Sequence, residues 1–503
     1  MQWIERNKRQ IIELANDIWK YAETSMQEWH SQLALAKLLE RNRFRVEWGI
    51  GGMPTFFVAT YKHRTGGPVL GFNSESDGLP GLSQKAGATT HEPIRFVDDP
   101  YRPYYGPGHG DAHNTLGAGG VAAAIATARS MTRHGLPGTV KVFGAAGEEQ
   151  LVGKTYAVRA GAYDGLDTFI GWHPSSVTST GWGSSLALIS GVFTFLGIGG
   201  HGGSPLGSKS ALDGVSELAA MMEFLREENV SCSGRIHYAV VYGGEAPNVI
   251  PDLAHVWVYA REASPDRVQV LFDKIAAAAE AAAHATQTTV VKTVHAAVWN
   301  KLGNKVGAEL LHENMTTIGP PRHSHADQAL AKELQKSLGV SSQGLSTDII
   351  PLRPPDLGGA SFSTDVAEVS WQTPTLGCIA TTKPLGTPNH QWNVVSTAAT
   401  HVAHAGMISA AKYLAATMID LATQPDILRE IQDEFKKRSG SIKWESLLPP
   451  DQQPPVYEPP DWFLHKTQQS WPLPGIQWPP ERFISREDYG TVGPPLPPPG
   501  YGS

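Results

Sequence analysis

Apolar runs that end in acidic or imidazole residues recur in the first part of this chain, and they constrain its fold more than any other feature. Residues 68–72 lead into Asn73-Ser74-Glu75-Ser76-Asp77, residues 139–146 into Gly147-Glu148-Glu149, and residues 167–172 into His173. Between them, residues 115–131 are alanine-rich without proline, and residues 151–162 carry apolar side chains at helical spacing. Strand, polar tip and helix in repetition predict an α/β fold with a mixed, mostly parallel sheet flanked by helices. Ligands of open α/β sheets bind beyond the carboxyl ends of the strands. Glu75, Asp77, Glu148, Glu149 and His173 all fall there.

From residue 191 the pattern changes. Residues 192–198, 236–242, 254–261 and 289–294 read as strands, and residues 210–228 and 265–286 as helices. Ser264 would cap the second helix, with Pro265 at its first position, where a missing N–H costs nothing. This predicts a smaller α+β unit inserted into the first. The expected division is a larger α/β domain of residues 1–190 and 311–440, an inserted smaller domain of residues 191–310, and a tail of residues 441–503. The α/β pattern resumes with a helix over 326–338, a strand over 374–380 and a final helix from about 396 to 424. Fifteen of the 37 prolines follow residue 440, so the tail is expected to be extended, without helix. Its aromatic residues, among them Trp444, Trp462 and Phe463, suit a tail laid over the protein surface; the alternative is a mobile one.

At 503 residues the chain exceeds one ordinary core. Its net charge, 41 − 48 = −7, gives no reason to expect nucleic acid as a partner. Apolar positions between Ile4 and Trp19 fit one face of a helix rather than a secretory leader, and no apolar run approaches the ~18 residues of a membrane span. Cys232 and Cys378 lie far apart, which argues against a disulfide framework and for a reducing, cytoplasmic location.

His109, Asp111 and His113 alternate along a glycine-punctuated loop just before a helix. Alternate residues of an extended loop point the same way, so Asp111 and His113 could reach one ion. Imidazole nitrogen and carboxylate oxygen without thiolate suit Zn²⁺, Mn²⁺ or Co²⁺. The side chains of Glu148 and Glu149 diverge, so one can bind metal while the other takes a proton from a metal-bound water. Taken singly, these signals have ordinary explanations, a hydrogen-bonded loop histidine or a solvated glutamate pair at a helix start. His173 and His390, each after an apolar strand, add enough N/O ligands for two ions. Gly197-Ile198-Gly199-Gly200-His201-Gly202 matches a dinucleotide-binding glycine pattern. It lacks the acidic residue at the end of a following strand, and Ser204-Pro205 interrupts the helix it should enter.

Together these motifs resemble the M20 metallopeptidase family, in the amidohydrolase branch that includes aminobenzoyl-glutamate hydrolases and hydrolases of indole-acetyl-amino acid conjugates. The resemblance spans about residues 1–435. It rests on residues 76–84, 108–117, 147–149, 171–174, 200–205 and 243–251 and on Ser363-Thr364-Asp365-Val366. It implies two divalent ions held by Asp111, His113, Glu149, His173 and His390, with Glu148 as general base. Asp77 would orient a ligand, and His109 would support the loop. It further implies that residues 1–190 and 311–440 form the catalytic domain and residues 191–310 a lid or dimerisation domain, and that the protein is a homodimer. His201 of the small domain would reach a neighbouring subunit's site, and Asn248 and Arg261 would help hold the substrate, with Arg261 the partner of a carboxylate. Glu75 stands where many members of the family have a ligand histidine, and Asp111 where many in this branch have cysteine. The expected reaction is hydrolysis of an N-acyl or N-aroyl amino acid. A dipeptidase and a non-catalytic, small-molecule-binding descendant are the alternatives. Tyr101, Tyr104 and Tyr105, just before the metal loop, are candidates to line an aromatic acyl pocket.

Overall fold

The computed structural model describes residues 1–99, 103–355 and 361–473. Its strands are β1 (Arg45–Trp48), β2 (Phe57–His63), β3 (Val69–Glu75), β4 (Phe96–Val97), β5 (Tyr104–Tyr105), β6 (Gly138–Ala145), β7 (Thr168–Ser175) and β8 (Ser179–Thr180). After them come β9 (Ala187–Leu196), β10 (Gly200–His201), β11 (Arg235–Tyr242), β12 (Val249–Ile250), β13 (Leu253–Glu262), β14 (Thr289–Val298) and β15 (Thr375–Thr381).

The larger sheet is seven-stranded, in the order β1-β2-β6-β3-β7-β15-β8. Its centre, β6, β3, β7 and β15, is parallel, and the outer strands join it antiparallel. The two acid-tipped runs and the one that leads to His173 are adjacent in this centre, so their carboxyl ends share one edge. His173 lies inside β7 rather than after it, because that strand continues to Ser175.

The helix His113–His134 packs on this sheet and is buried over most of its length. Glycine permits the approach. A Cβ at Gly120 would stand 2.1 Å from the Asn73 carbonyl oxygen, and one at Gly117 would stand 2.5 Å from that of Glu75. Side chains at either place would push the helix off β3 and move His113 away from the strand tips.

The second sheet is four-stranded and antiparallel, in the order β11-β13-β9-β14. The helices Ala211–Glu228 and Pro265–Thr286 bury apolar stripes against it, with Val215, Leu218, Phe272 and Ile275 inside. Pro265 begins its helix as expected, but the Ser264 side chain makes no capping bond. The glycine-rich stretch at 197–202 enters the short strand β10, not a helix, so the dinucleotide pattern has no structural counterpart.

Elsewhere the chain departs from expectation in three places. A helix at Lys305–Ile318 was not anticipated. The helix foreseen at 396–424 is two, Trp392–Ala398 and His401–Thr423, and Pro425–Ser439 follows it. The tail is not wholly extended: Asp461–Thr467 is helical. Pro460 stands just outside that helix and no proline follows until Pro472, so proline density overstated the local constraint. Residues 441–473 lie on the body, with Leu448, Val456, Phe463 and Leu473 buried. Residues from 474 onward lie outside the described ones. No helix among the described residues is long and apolar enough to cross a membrane.

Candidate metal centre

Asp77, Asp111, His113, Glu148, Glu149, His173 and His390 converge at the shared strand edge. Three overlapping groups could each hold an ion: Asp111 with His113 and His173, Asp111 with Glu149 and His390, and Glu75 with His113 and Glu148. His113 is the hub. Its Nδ1 lies 3.0 Å from Asp77 Oδ1 and 3.8 Å from Glu149 Oε1, and its Nε2 is 3.8 Å from Glu75 Oε2 and 4.0 Å from Glu148 Oε2. Asp77 Oδ2 in turn accepts the Ser25 hydroxyl at 2.8 Å and the Glu149 N–H at 2.9 Å.

On the open side, His390 Nε2 is 3.0 Å from Asp111 Oδ2 and 3.6 Å from Glu149 Oε2, while His173 Nε2 is 3.6 Å from Asp111 Oδ2. His390 adopts φ 51°, unusual for a residue with a side chain. Its N–H donates to the Gly110 carbonyl at 3.1 Å, which ties it to the loop that carries Asp111. Lys383 Nζ braces the same turn by donating to the Thr387 carbonyl at 2.9 Å.

His113 Nε2 and Glu149 Oε1 are buried and have no hydrogen-bond partner among the described residues. Buried polar atoms are normally satisfied, so two such orphans in one cluster fit a divalent cation. The charge balance agrees. Burial works against a charge on His113, but Glu149, Asp77 and Glu75 outweigh it and hold its pKa well above the usual imidazole value. Burial pushes Glu149 well above the carboxylate range; His113 opposes that, and Asp111, Asp77 and Glu148 reinforce it. Crowded carboxylates with oxygen and nitrogen donors are what a divalent ion neutralises.

Glu75 is differently engaged. Its Oε1 accepts from Lys154 Nζ and Asn73 Nδ2, both at 2.7 Å. Lys154 also reaches Asp365 Oδ1 at 2.6 Å, and all three charged groups are buried. Sequence reasoning missed Lys154. Its signal was position: it falls at apolar spacing in the sequence, three residues after Leu151 and four before Val158, and its helix runs over Gly153–Arg159. Glu28, also missed, accepts the Gly147 N–H at 2.7 Å and the Thr55 hydroxyl at 3.0 Å, fixing the start of the Glu148-Glu149 loop.

His109 is buried with Nε2 3.0 Å from the Ile18 carbonyl, in a supporting position. Arg261, on β13, has an unpartnered buried Nε, lies 5.7 Å from the Tyr259 ring centroid and is within electrostatic reach of Glu148. His201 and Asn248 do not join the cluster within this chain. Both are exposed on the small unit, where the Gly202 N–H bonds the Asn248 carbonyl at 2.8 Å beside an open cleft of about 630 Å³. Tyr105 packs near His91 and Phe96, and His91 stacks near Trp392, two residues beyond His390. Tyr101 lies outside the described residues.

The small unit matches the peptidase dimerisation domain of M20 proteins over residues 186–287. Over 478 residues the chain is 32% identical to a p-aminobenzoyl-glutamate hydrolase subunit of Escherichia coli, covering 90% of this chain and 97% of that one.

The chain belongs to the M20 family.

As a member of this family it is a hydrolase of amide bonds, with residue groups that could hold metal ions. It is also 26% identical to Xaa-Arg dipeptidase of Mus musculus, covering 88% of this chain and 92% of that one. Among solved structures, a dinuclear metal-binding M20 peptidase from Bacillus subtilis shares the fold with a TM-score of 0.53 at 16% identity, covering 84% of this chain and 99% of that one. The M20 fold thus accounts for both sheets and for the edge at which the acidic and imidazole residues meet.

Proposed function

We propose that this M20 enzyme hydrolyses N-acyl or N-aroyl amino acids of the aminobenzoyl-glutamate or auxin-conjugate kind, with Glu148 as general base. The observation that carries the reading is the pair of orphaned buried atoms, His113 Nε2 and Glu149 Oε1, in one cluster with Glu148, whose Oε2 lies 4.0 Å from His113 Nε2. Asp111, His113, Glu149, His173 and His390 are the proposed ligands of two divalent ions, Zn²⁺, Mn²⁺ or Co²⁺. Such ions supply positive charge that polarises an amide carbonyl and favours ionisation of water. Asp77 holds His113 in one tautomer and orientation. Glu148 takes the proton of the attacking water and delivers it to the leaving nitrogen. Arg261, whose Nε has no hydrogen-bond partner among the described residues, pairs with the substrate carboxylate.

His201 and Asn248 serve the neighbouring protomer of a homodimer, His201 by stabilising the developing oxyanion and Asn248 by holding substrate. In that dimer residues 191–310 act as both lid and dimerisation domain. Support comes from β11, an edge strand with exposed Val240 and Val241. An exposed apolar edge calls for a cover. The separate, unpaired Cys232 and Cys378 suit a cytoplasmic enzyme.

The similarity to Xaa-Arg dipeptidase favours dipeptides as the second reading. A hydrolysis screen over aroyl-glutamates, indole-acetyl-aspartate, other acyl-amino acids and dipeptides, with metal quantified in the same sample, separates the two. Turnover of acyl-amino acids that chelation abolishes and metal restores is expected. Turnover confined to dipeptides selects the second reading, and a metal-loaded protein that turns over nothing leaves a non-catalytic binding protein.

A further inference from the structure

The segment Ser363-Thr364-Asp365 reaches the centre from the second half of the chain and is anchored there twice. Asp365 is fully buried; its Oδ2 accepts the Lys154 N–H at 2.9 Å and its Oδ1 accepts Lys154 Nζ at 2.6 Å. One bond to backbone and one to an ammonium on the same residue leave little freedom between this segment and the Glu148-Glu149 loop, which lies just before Lys154. Lys154 is itself fixed from the other side by Glu75.

Thr364 is held over Glu148 by this anchor. Its Oγ1 lies 2.8 Å from Glu148 Oε1 and also accepts the Val366 N–H at 3.2 Å. A hydroxyl has a single proton. With its oxygen engaged by Val366, that proton is directed to Glu148, so Oε1 is committed as an acceptor. The other oxygen, Oε2, faces His113 Nε2 at 4.0 Å, inside the cluster.

We propose that Thr364 is a positioning residue for the reaction: it immobilises Glu148 through Oε1 and so presents Oε2 alone to the proton of the attacking water. The inference rests on the reading of Glu148 as base. It adds that the base works through one oxygen, selected by a residue about two hundred positions downstream. Small errors in the placement of a catalytic group cost on the order of 10²-fold in rate.

The test compares Thr364→Val and Thr364→Ser in the metal-loaded full chain. Thr364→Val should lower kcat by roughly 10–100-fold with KM and metal content little changed, and Thr364→Ser, which restores the hydroxyl, should recover most of the loss. In a Glu148→Gln background, Thr364→Val should cost nothing further, because the group it positions is already gone. Full activity in Thr364→Val, or an undiminished further loss in the Glu148→Gln background, overturns the proposal. Crystal structures of Thr364→Val and Thr364→Ser provide a readout independent of activity. A Glu148 carboxylate that rotates in the valine variant and keeps its place in the serine variant supports the positioning role, and one unmoved in both refutes it. If Glu148→Gln is as active as the wild type, the reading of Glu148 as base fails, and the crystal structures still decide whether Thr364 fixes that side chain. Should Thr364→Val not fold, Thr364→Ala, which removes the hydroxyl without adding volume, carries the same expectations.

Discussion

His113 Nδ1 lies 3.0 Å from Asp77 Oδ1, and both side chains are completely buried. Because Asp77 accepts at Nδ1, His113 Nε2 is turned into the cluster, where it has no hydrogen-bond partner among the described residues and would offer its lone pair to a metal ion. A carboxylate behind a ligand histidine fixes its tautomer and raises its basicity. Asp77→Asn can present its amide nitrogen instead and loses the charge. Metal affinity should fall by ~10–100-fold, read by competitive chelator titration. Unchanged affinity would remove Asp77 from this role.

Lys154 neutralises two buried carboxylates, Glu75 and Asp365, at 2.7 and 2.6 Å. Removing one member of a buried charge network leaves the others uncompensated, at a cost of ~3–5 kcal/mol. Lys154→Met fills a similar volume and should destabilise the protein by about that amount in urea denaturation. A loss below about 1 kcal/mol would mean that Glu75 and Asp365 are neutral or otherwise paired.

The sequence made the strand edge legible because each apolar run ends abruptly in charged residues, and the strand length then places those residues at the tips. Lys154 was not legible. A lysine in an amphipathic helix reads as solvated unless its place on the apolar stripe is weighed against its charge. Glu75 could be placed but not interpreted, since its engagement with Lys154 depends on a contact between β3 and the helix Gly153–Arg159. The tail helix was hidden for a compositional reason, as residues 461–471 are free of proline within a segment rich in it. His201 and Asn248 are exposed on the small unit and belong to none of the cluster's residue groups, so spacing within one chain could not relate them to it.

Phe463 is fully buried, with its ring centroid 5.0 Å from that of Trp29 and 5.5 Å from that of Trp48. Phe463→Ala should cost ~3–5 kcal/mol, and deletion of residues 441–503 should cost more, since Leu448 and Val456 are also buried. Thermal unfolding of both variants checks this. No change in either would make the tail a dispensable appendage.

Burial pushes Glu368 up to about 8, although the Trp299 N–H and Trp444 Nε1–H donate to it. An acid with a raised pKa holds its proton in the folded state over a range where the unfolded chain has lost it. Its contribution to stability is therefore present at acid pH and is lost as pH rises through about 8. Glu28, also pushed up to about 8, chiefly by burial and then by Asp77, acts in the same direction. Glu368→Gln should flatten the fall in stability between about pH 5 and 8, measured by denaturation at a series of pH values. A slope identical to the wild type's would contradict the assignment.

The central claim is that Glu148 is the base and Glu149 a ligand, although they are neighbours in sequence. The most direct measurement is metal content and turnover of Glu148→Ala in one sample. Metal retained at the wild-type level, with hydrolysis reduced by at least ~10²–10⁴-fold, is the predicted result. Near-normal turnover, or loss of the metal along with the activity, would contradict it.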